Sequence, residues 1–391
     1  MDNLIYLDNA ATTFPKPKKV LEFMFEFYAT HGVNPGRTGF DLAVEAEETI
    51  ISARRKLAGF LGGTDYTRVV FGLNATDALN LLINSVLENG DHAVTTRLEH
   101  NSVLRPLHHL NRYKGVEVDY VPFDKCGYID PDDIGKKIKD NTRLVIVNHG
   151  SNVLGTIQPV KEIGAICREK GVLFAIDAAQ TAGMIPIDAC EMNIDVICFT
   201  GHKSLMGPTG IGGMYVCERV DIRPSRSGGT GVDSASREQP DKFPWRFEFG
   251  TLNTIGIAGL LAGLDWIESQ GGVEEIHRRE MSLAAKLVEG LSRIEGVVLH
   301  CADLDHAHLP VISFNIEGLA AADVSTMLDV DHNIACRTGL HCAPLVHETL
   351  GTDKLKGTVR FSIGPLNTEE HIEKAVEAVE DIAGFARKRR N

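Results

Sequence analysis

Three side chains in this sequence stand where they could do chemistry: Lys203, Asp177 and Cys342. Lys203 follows the run Val196 to Phe199 in DVICFTGHKSLMGPTGIGG, a short apolar strand that stops at Thr200 and Gly201 and presents His202 and Lys203. A strand end fixes the lysine's backbone, and the apolar strand before it supplies a dry floor. Desolvation then lowers the ammonium pKa toward a usable amine nucleophile, although the ordinary fate of a lysine is a solvated surface loop. Upstream, GVLFAIDAAQ carries five apolar residues without alternation and ends on Asp177. That is the pattern of a parallel strand buried on both faces. The third group lies in IACRTGLHCAP, which places Cys342 in a turn after Gly339, beside His341 and near Arg337. Cationic neighbours raise the thiolate fraction of a thiol, as a nucleophilic sulfur requires. Cys336, beside Ala335 on an apolar strand, reads instead as an inert buried thiol. A metal set of Cys336, His341, Cys342 and His347 has neither paired CxxC nor HxxxH spacing, so no metal is expected.

Alternating strands and helices must position these groups. From Arg68 onward, five successive strands each deliver polar residues at their carboxyl ends: Asn74 and Thr76, Glu99 and His100, Asn148 to Asn152, Asp177 with Gln180, and Thr200 to Lys203. In an open α/β sheet those ends face one crevice, so Asp177 and Lys203 are expected to share a site. Asn74 or Thr76 starts a helix whose free amides suit a phosphate; for Thr76, simple capping is an equal reading. No glycine-rich nucleotide loop occurs at a strand exit. The segment 31–39 is too rich in glycine and proline for regular structure, and Asp41 is expected to cap the helix after it. The stretch 225–251 is a long irregular loop whose aromatics favour order. The pattern divides the chain into a large α/β domain, 18–270, with a mostly parallel sheet, and a smaller α+β domain, 1–17 with 271–391, that carries the thiol loop.

Composition narrows the function classes. The 391-residue chain carries a formal net charge of −13, which argues against nucleic acid or an anionic membrane as principal partner. Its eight cysteines have no repeating spacing, so a reducing compartment is expected, and with no leader-like or membrane-spanning run the expectation is cytoplasmic.

The motifs ID-x-AQ, TGHK and GPTGIG resemble the fold-type I, class V pyridoxal phosphate enzymes, and specifically the cysteine desulfurase and selenocysteine lyase family. EHNS, HGSNVLGT, RFEFGT, TVRFSIGPLNT and the short-loop RTG-x-HCA extend the resemblance over most of the chain. It implies that Lys203 carries pyridoxal 5'-phosphate, that Asp177 pairs with the ring nitrogen, and that Gln180 bonds the phenolic oxygen. It implies that His100 stacks on the ring and assists proton transfer. Ala75, Thr76, Thr200 and His202 would hold the phosphate, with Thr251 reaching in from a partner subunit of a homodimer. Asn152 and Arg360 would take the substrate carboxylate. Cys342 would attack the sulfur of L-cysteine, or the selenium of selenocysteine, and pass sulfur to an acceptor protein. Leu340 departs from relatives with two histidines before the cysteine, which leaves open the group that handles the thiol proton. The alternatives implied are selenocysteine lyase and a class V aminotransferase with an incidental Cys342.

Overall fold

The computed structural model describes residues 4–36 and 40–390, so Arg37 to Gly39 of the irregular segment 31–39 lie outside the described residues. After the two-residue β1 (Ile5–Tyr6) come the strands of a seven-stranded sheet. These are β2 (Val69–Gly72), β3 (His92–Thr96), β4 (Glu117–Val121), β5 (Thr142–Asn148), β6 (Leu173–Asp177), β7 (Val196–Thr200) and β8 (Gly212–Val216). Their order is β2-β8-β7-β6-β5-β3-β4, and β8 alone runs antiparallel to its neighbours. Successive residues of one strand serve opposite faces. Val145, Val147, Phe174 and Ile176 pack into the core on one side of the sheet. Leu144, Ile146 and Ala175 pack into the core on the other. Burial on both faces explains the unbroken apolar runs, and each buried valine, leucine, isoleucine or phenylalanine among them contributes about 1.5–3 kcal/mol of transfer free energy.

A second, antiparallel sheet is built from β9 (Val297–His300), β10 (Val311–Ile316), β12 and β13 in the order β12-β13-β10-β9, where β11 is Ile334–Ala335, β12 Arg337–Gly339 and β13 Thr358–Ser362. Ile312, Phe314 and Ile316 of β10 form a core with Leu287, Val324 and Val379, from the helices Val273–Ser292, Ala321–His332 and Glu369–Arg390. The alternate residue Ser313 turns the other way and donates to the Val153 carbonyl at 2.6 Å, which ties this sheet to the loop after β5. β1 pairs in parallel with β11, so the N-terminal segment lies beside the thiol loop. No helix among the described residues is long and apolar enough to cross a membrane.

One strand went unread in the sequence and one local expectation is corrected. The glycine-rich run after Lys203 ends in the first two residues of β8, a strand flanked closely on both sides. A Cβ on Gly212 would lie 2.6 Å from the Asn74 Cα, and one on Gly213 2.0 Å from the Val70 carbonyl oxygen. These glycines therefore mark close backbone approach. Asp41 does not cap its helix: it sits in the first turn after Phe40, and the helix Asp41–Phe60 begins with no side-chain cap bond.

Candidate active site

The carboxyl ends of β2, β3, β5, β6 and β7 open onto one cavity of about 250 Å³. β4 intervenes in the chain between β3 and β5 but lies at the sheet edge, so the five polar strand ends are not successive strands. β5 and β6 stand in register with Asn148 opposite Asp177, and Thr200 ends β7 just before His202 and Lys203. From the helix Ala75–Val86 come Ala75 and Thr76, with Asn74 as the cap accepting from Asp77 N–H at 3.0 Å. His100, Asn152, Asp177, Gln180, Thr200, His202, Lys203 and Arg360 complete the wall predicted from sequence. Thr76 lines the cavity and is not the cap.

Burial pulls the Lys203 ammonium down to about 8; Arg360 and Arg337 add to the effect while Asp177 opposes it. Asp177 is only 4% exposed. Burial raises its pKa, and the Ala179 N–H at 2.9 Å and the Lys203 charge pull it back toward the carboxylate. His100 caps the helix Asn101–Lys114: its Nδ1 accepts the Ser102 N–H at 3.1 Å and lies 2.7 Å from the Ser102 hydroxyl. An accepting Nδ1 leaves the ring proton on Nε2. Burial, then Lys203, Arg337 and Arg105, hold His100 down to about 4, so it is neutral near pH 7. Thr76 Oγ1 is 2.7 Å from the same Ser102 hydroxyl. Thr200 Oγ1 and His202 Nδ1 are buried without a protein partner, and burial holds His202 down to about 4. Gln180 Nε2 donates to the Ala10 carbonyl at 3.0 Å.

The thiol loop turns sharply: His341 and Cys342 both have left-handed backbones, φ 46° and 60°. Non-glycine residues rarely adopt this conformation, and where they do it is held by its surroundings. Here the Asn101 N–H donates to the Cys342 carbonyl at 2.7 Å and the Asn152 side-chain amide donates to the His341 carbonyl at 2.7 Å. Ala343 and Val346 anchor the far side of the turn in the core of the seven-stranded sheet. Cys342 does not itself line the cavity, but Arg337 does, and its Nη2 donates to the Cys342 sulfur at 3.6 Å. His341 is not a cationic neighbour of the thiol. Its ring is 2% exposed, bonds Thr358 Oγ1 at 3.1 Å, and is held down to about 2, chiefly by burial and then by Arg360. Cys336 is half-buried between β11 and β12, and burial pushes its thiol up to about 11.

Thr251 stands apart from this cavity, exposed, at the edge of a larger one of about 590 Å³ that also involves Arg54, Trp245 and Glu248. Sequence reading missed Ser102, which lies between Thr76 and His100 and whose only signal was its place two residues after His100. It named Arg337 only as a neighbour of the thiol, and passed over Asp8, the ion-pair partner of Arg360.

Comparison with known proteins fits this arrangement. The Aminotransferase class-V family model matches residues 5–375. A probable cysteine desulfurase from Methanothermobacter thermautotrophicus is 36% identical over 386 residues, covering 97% of this chain and 95% of that protein. A cysteine desulfurase from Yersinia pseudotuberculosis is 33% identical over 389 residues, covering 97% and 93%. Among solved structures, the apo cysteine desulfurase of Thermococcus onnurineus NA1 superposes with a TM-score of 0.92 at 36% identity, covering 98% of this chain and 96% of that one. An Escherichia coli cysteine desulfurase in an S-sulfonic acid form gives 0.86 at 28% identity, covering 98% and 95%. A model match spanning nearly the whole chain, with full-length relatives above 30% identity, means that this chain belongs to the class-V aminotransferase family.

Proposed function

We propose that the chain is a cysteine desulfurase, which takes the sulfur of L-cysteine onto Cys342 as a persulfide and releases L-alanine. The observation that carries this reading is the Arg337 contact: one guanidinium both lines the lysine–aspartate cavity and touches the Cys342 sulfur. An incidental cysteine has no need of such a link.

Enzymes of this family depend on pyridoxal phosphate, and the residues present fit it. Lys203 supplies the attachment amine and Asp177 a carboxylate for the ring nitrogen. The Thr200 hydroxyl and His202 Nδ1, both lacking protein partners, fit a phosphate beside Ala75 and Thr76 at a helix N-terminus. When bound, the cofactor supplies an electron sink for charge developing at the substrate Cα. His100 would face the bound cofactor and Gln180 would hydrogen-bond its phenolic oxygen. Arg360 and Asn152 receive the substrate carboxylate. Lys203, held near 8, can take and return a proton at Cα, and His100 offers the Nε2 proton. The Cys342 thiolate attacks the substrate sulfur. A sulfur–sulfur bond forms, the carbon–sulfur bond breaks, its electron pair stays with carbon, and protonation there completes L-alanine. Arg337 is the cation that steadies the sulfur anion before and after transfer.

In this reading the molecule is a cytoplasmic homodimer with domains 18–270 and 1–17 plus 271–391, and an acceptor protein takes the persulfide sulfur. The exposed Thr251, outside its own chain's cavity, supports a phosphate contact made in the neighbouring subunit. The test is to supply purified protein with L-cysteine and a reductant, and separately with selenocysteine, and to quantify alanine. Alanine from L-cysteine is expected. Alanine from selenocysteine alone would move the reading to the lyase, and none without an added keto acid would move it to an aminotransferase.

A further inference from the structure

Arg360 is fully buried, at 0% exposure, and two acceptors already hold it. Its Nη1 donates to the Asn152 carbonyl at 3.0 Å and its Nη2 to Asp8 Oδ1 at 2.5 Å, while Nε has no partner. The Asp8 contact is built into the fold. Asp8 bridges Ser362 in parallel, and the Ser362 N–H donates to the Leu7 carbonyl at 2.7 Å, so the segment bearing Asp8 is stitched to the strand that bears Arg360. On its other side the Tyr6 hydroxyl donates to the Asp8 carbonyl at 3.2 Å, and the Ala11 N–H to the same oxygen at 3.0 Å.

A buried guanidinium without a counter-ion is strongly unfavourable, so a substrate-free site needs this carboxylate. A substrate carboxylate arriving at the same guanidinium must then share it with Asp8, and two like charges at such range oppose each other. We propose that Asp8 is the resident counter-ion of Arg360 and sets the site's affinity for carboxylates by competing with the substrate for the guanidinium. Asp8 thus stabilises the empty enzyme and weakens its hold on substrate and on the product, whose carboxylate is the same. This rests on the reading that Arg360 receives the substrate carboxylate.

The test uses the holoenzyme and two probes, L-alanine and L-alaninamide, which differ in the carboxylate. Affinity is read by calorimetric titration and stability by thermal melting. Asp8→Asn keeps the planar shape and an acceptor oxygen but removes the charge. It is expected to melt lower when unliganded, to bind L-alanine about tenfold or more tightly, to bind L-alaninamide as wild type does, and to show a lower KM for L-cysteine. Asp8→Glu, which keeps the charge, is expected to bind L-alanine like wild type. If Asp8→Asn does not fold, the neutral acceptor in Asp8→Ser carries the same expectation. Unchanged or weaker L-alanine binding by the neutral variants would overturn the proposal. Arg360→Gln separates the two readings. Its loss of L-alanine binding upholds Arg360 as the carboxylate site whatever Asp8 does, and its retention of wild-type binding removes the foundation of both.

Discussion

His100 shows how neighbours commit a side chain before any ligand arrives. Its Nδ1 is spent on capping a helix, so only Nε2 faces the chemistry, and its ring stays neutral because burial and three cations hold it at about 4. The sign follows directly. Unfolded, the ring takes up a proton below about 6.5; folded, it does so only near 4, so protonation between these values favours the unfolded chain. Wild type is therefore expected to lose stability relative to His100→Asn, a non-titrating cap, as pH falls from about 6.5 to about 4, measured by denaturant melts at stepped pH. A pH-independent difference would contradict the depressed titration of His100. Lys203→Ala is expected to stay folded by circular dichroism while losing both the visible absorption of lysine-linked cofactor and turnover; wild-type turnover would remove Lys203 from the site. Lys203 and Asp177 were legible in the sequence because each closes an apolar run with a lone charge. Ser102 and Asp8 were not, because their roles come from contacts with Thr76 and Arg360, far along the chain, and of Arg337 only its place near the thiol was legible, not its place in the cavity wall. His341 was misjudged for a related reason: its place beside the thiol was visible, its burial was not.

Among the elements, β8 was the least legible, since glycine runs resemble loops until the neighbouring backbones are in place. Gly212 lets Asn74, the cap of the helix whose first residues line the cavity, approach the sheet. Gly212→Ala is expected to push that helix start outward and weaken cofactor retention, measured as absorbance lost on dialysis; unchanged retention would argue against the close approach. The strands β5, β6 and β7 were readable because burial on both faces leaves an unmistakable apolar run. The loop 225–251 is irregular yet anchored. Arg54 and Glu248 form a buried, two-point ion pair, each side chain about 5% exposed, and Glu248 also accepts the Phe71 N–H at 2.7 Å. Removing one partner leaves the other charge unpaired, so Glu248→Ala is expected to cost about 3–5 kcal/mol. Equilibrium denaturation checks this, and a loss below about 1 kcal/mol would show the pair to be dispensable.

For the molecule as a whole, the cavity draws its lining from both ends of the chain: Ala10 and Ala11 from the N-terminal segment, whose Asp8 pairs with Arg360, then Arg337 and Arg360 from the antiparallel sheet, and the rest from the seven-stranded sheet and its loops. The proposed dimer adds a further contribution, because Thr251 is exposed and does not line its own chain's cavity. Sedimentation is expected to give a dimer, and a fully active monomer would rule out a shared site. Such convergence could be anticipated from the strand ends, but the route by which Cys342 joins it could not, since Arg337 makes the connection. The central claim is that this thiol takes the substrate's sulfur, and the most direct measurement is mass spectrometry of the Cys342 peptide. Holoenzyme given L-cysteine without reductant, then digested, is expected to carry one added sulfur atom on Cys342, absent from Cys342→Ser and removed by a thiol reductant. Alanine released in wild-type amounts with Cys342 unmodified, or by Cys342→Ser at the wild-type rate, would contradict it.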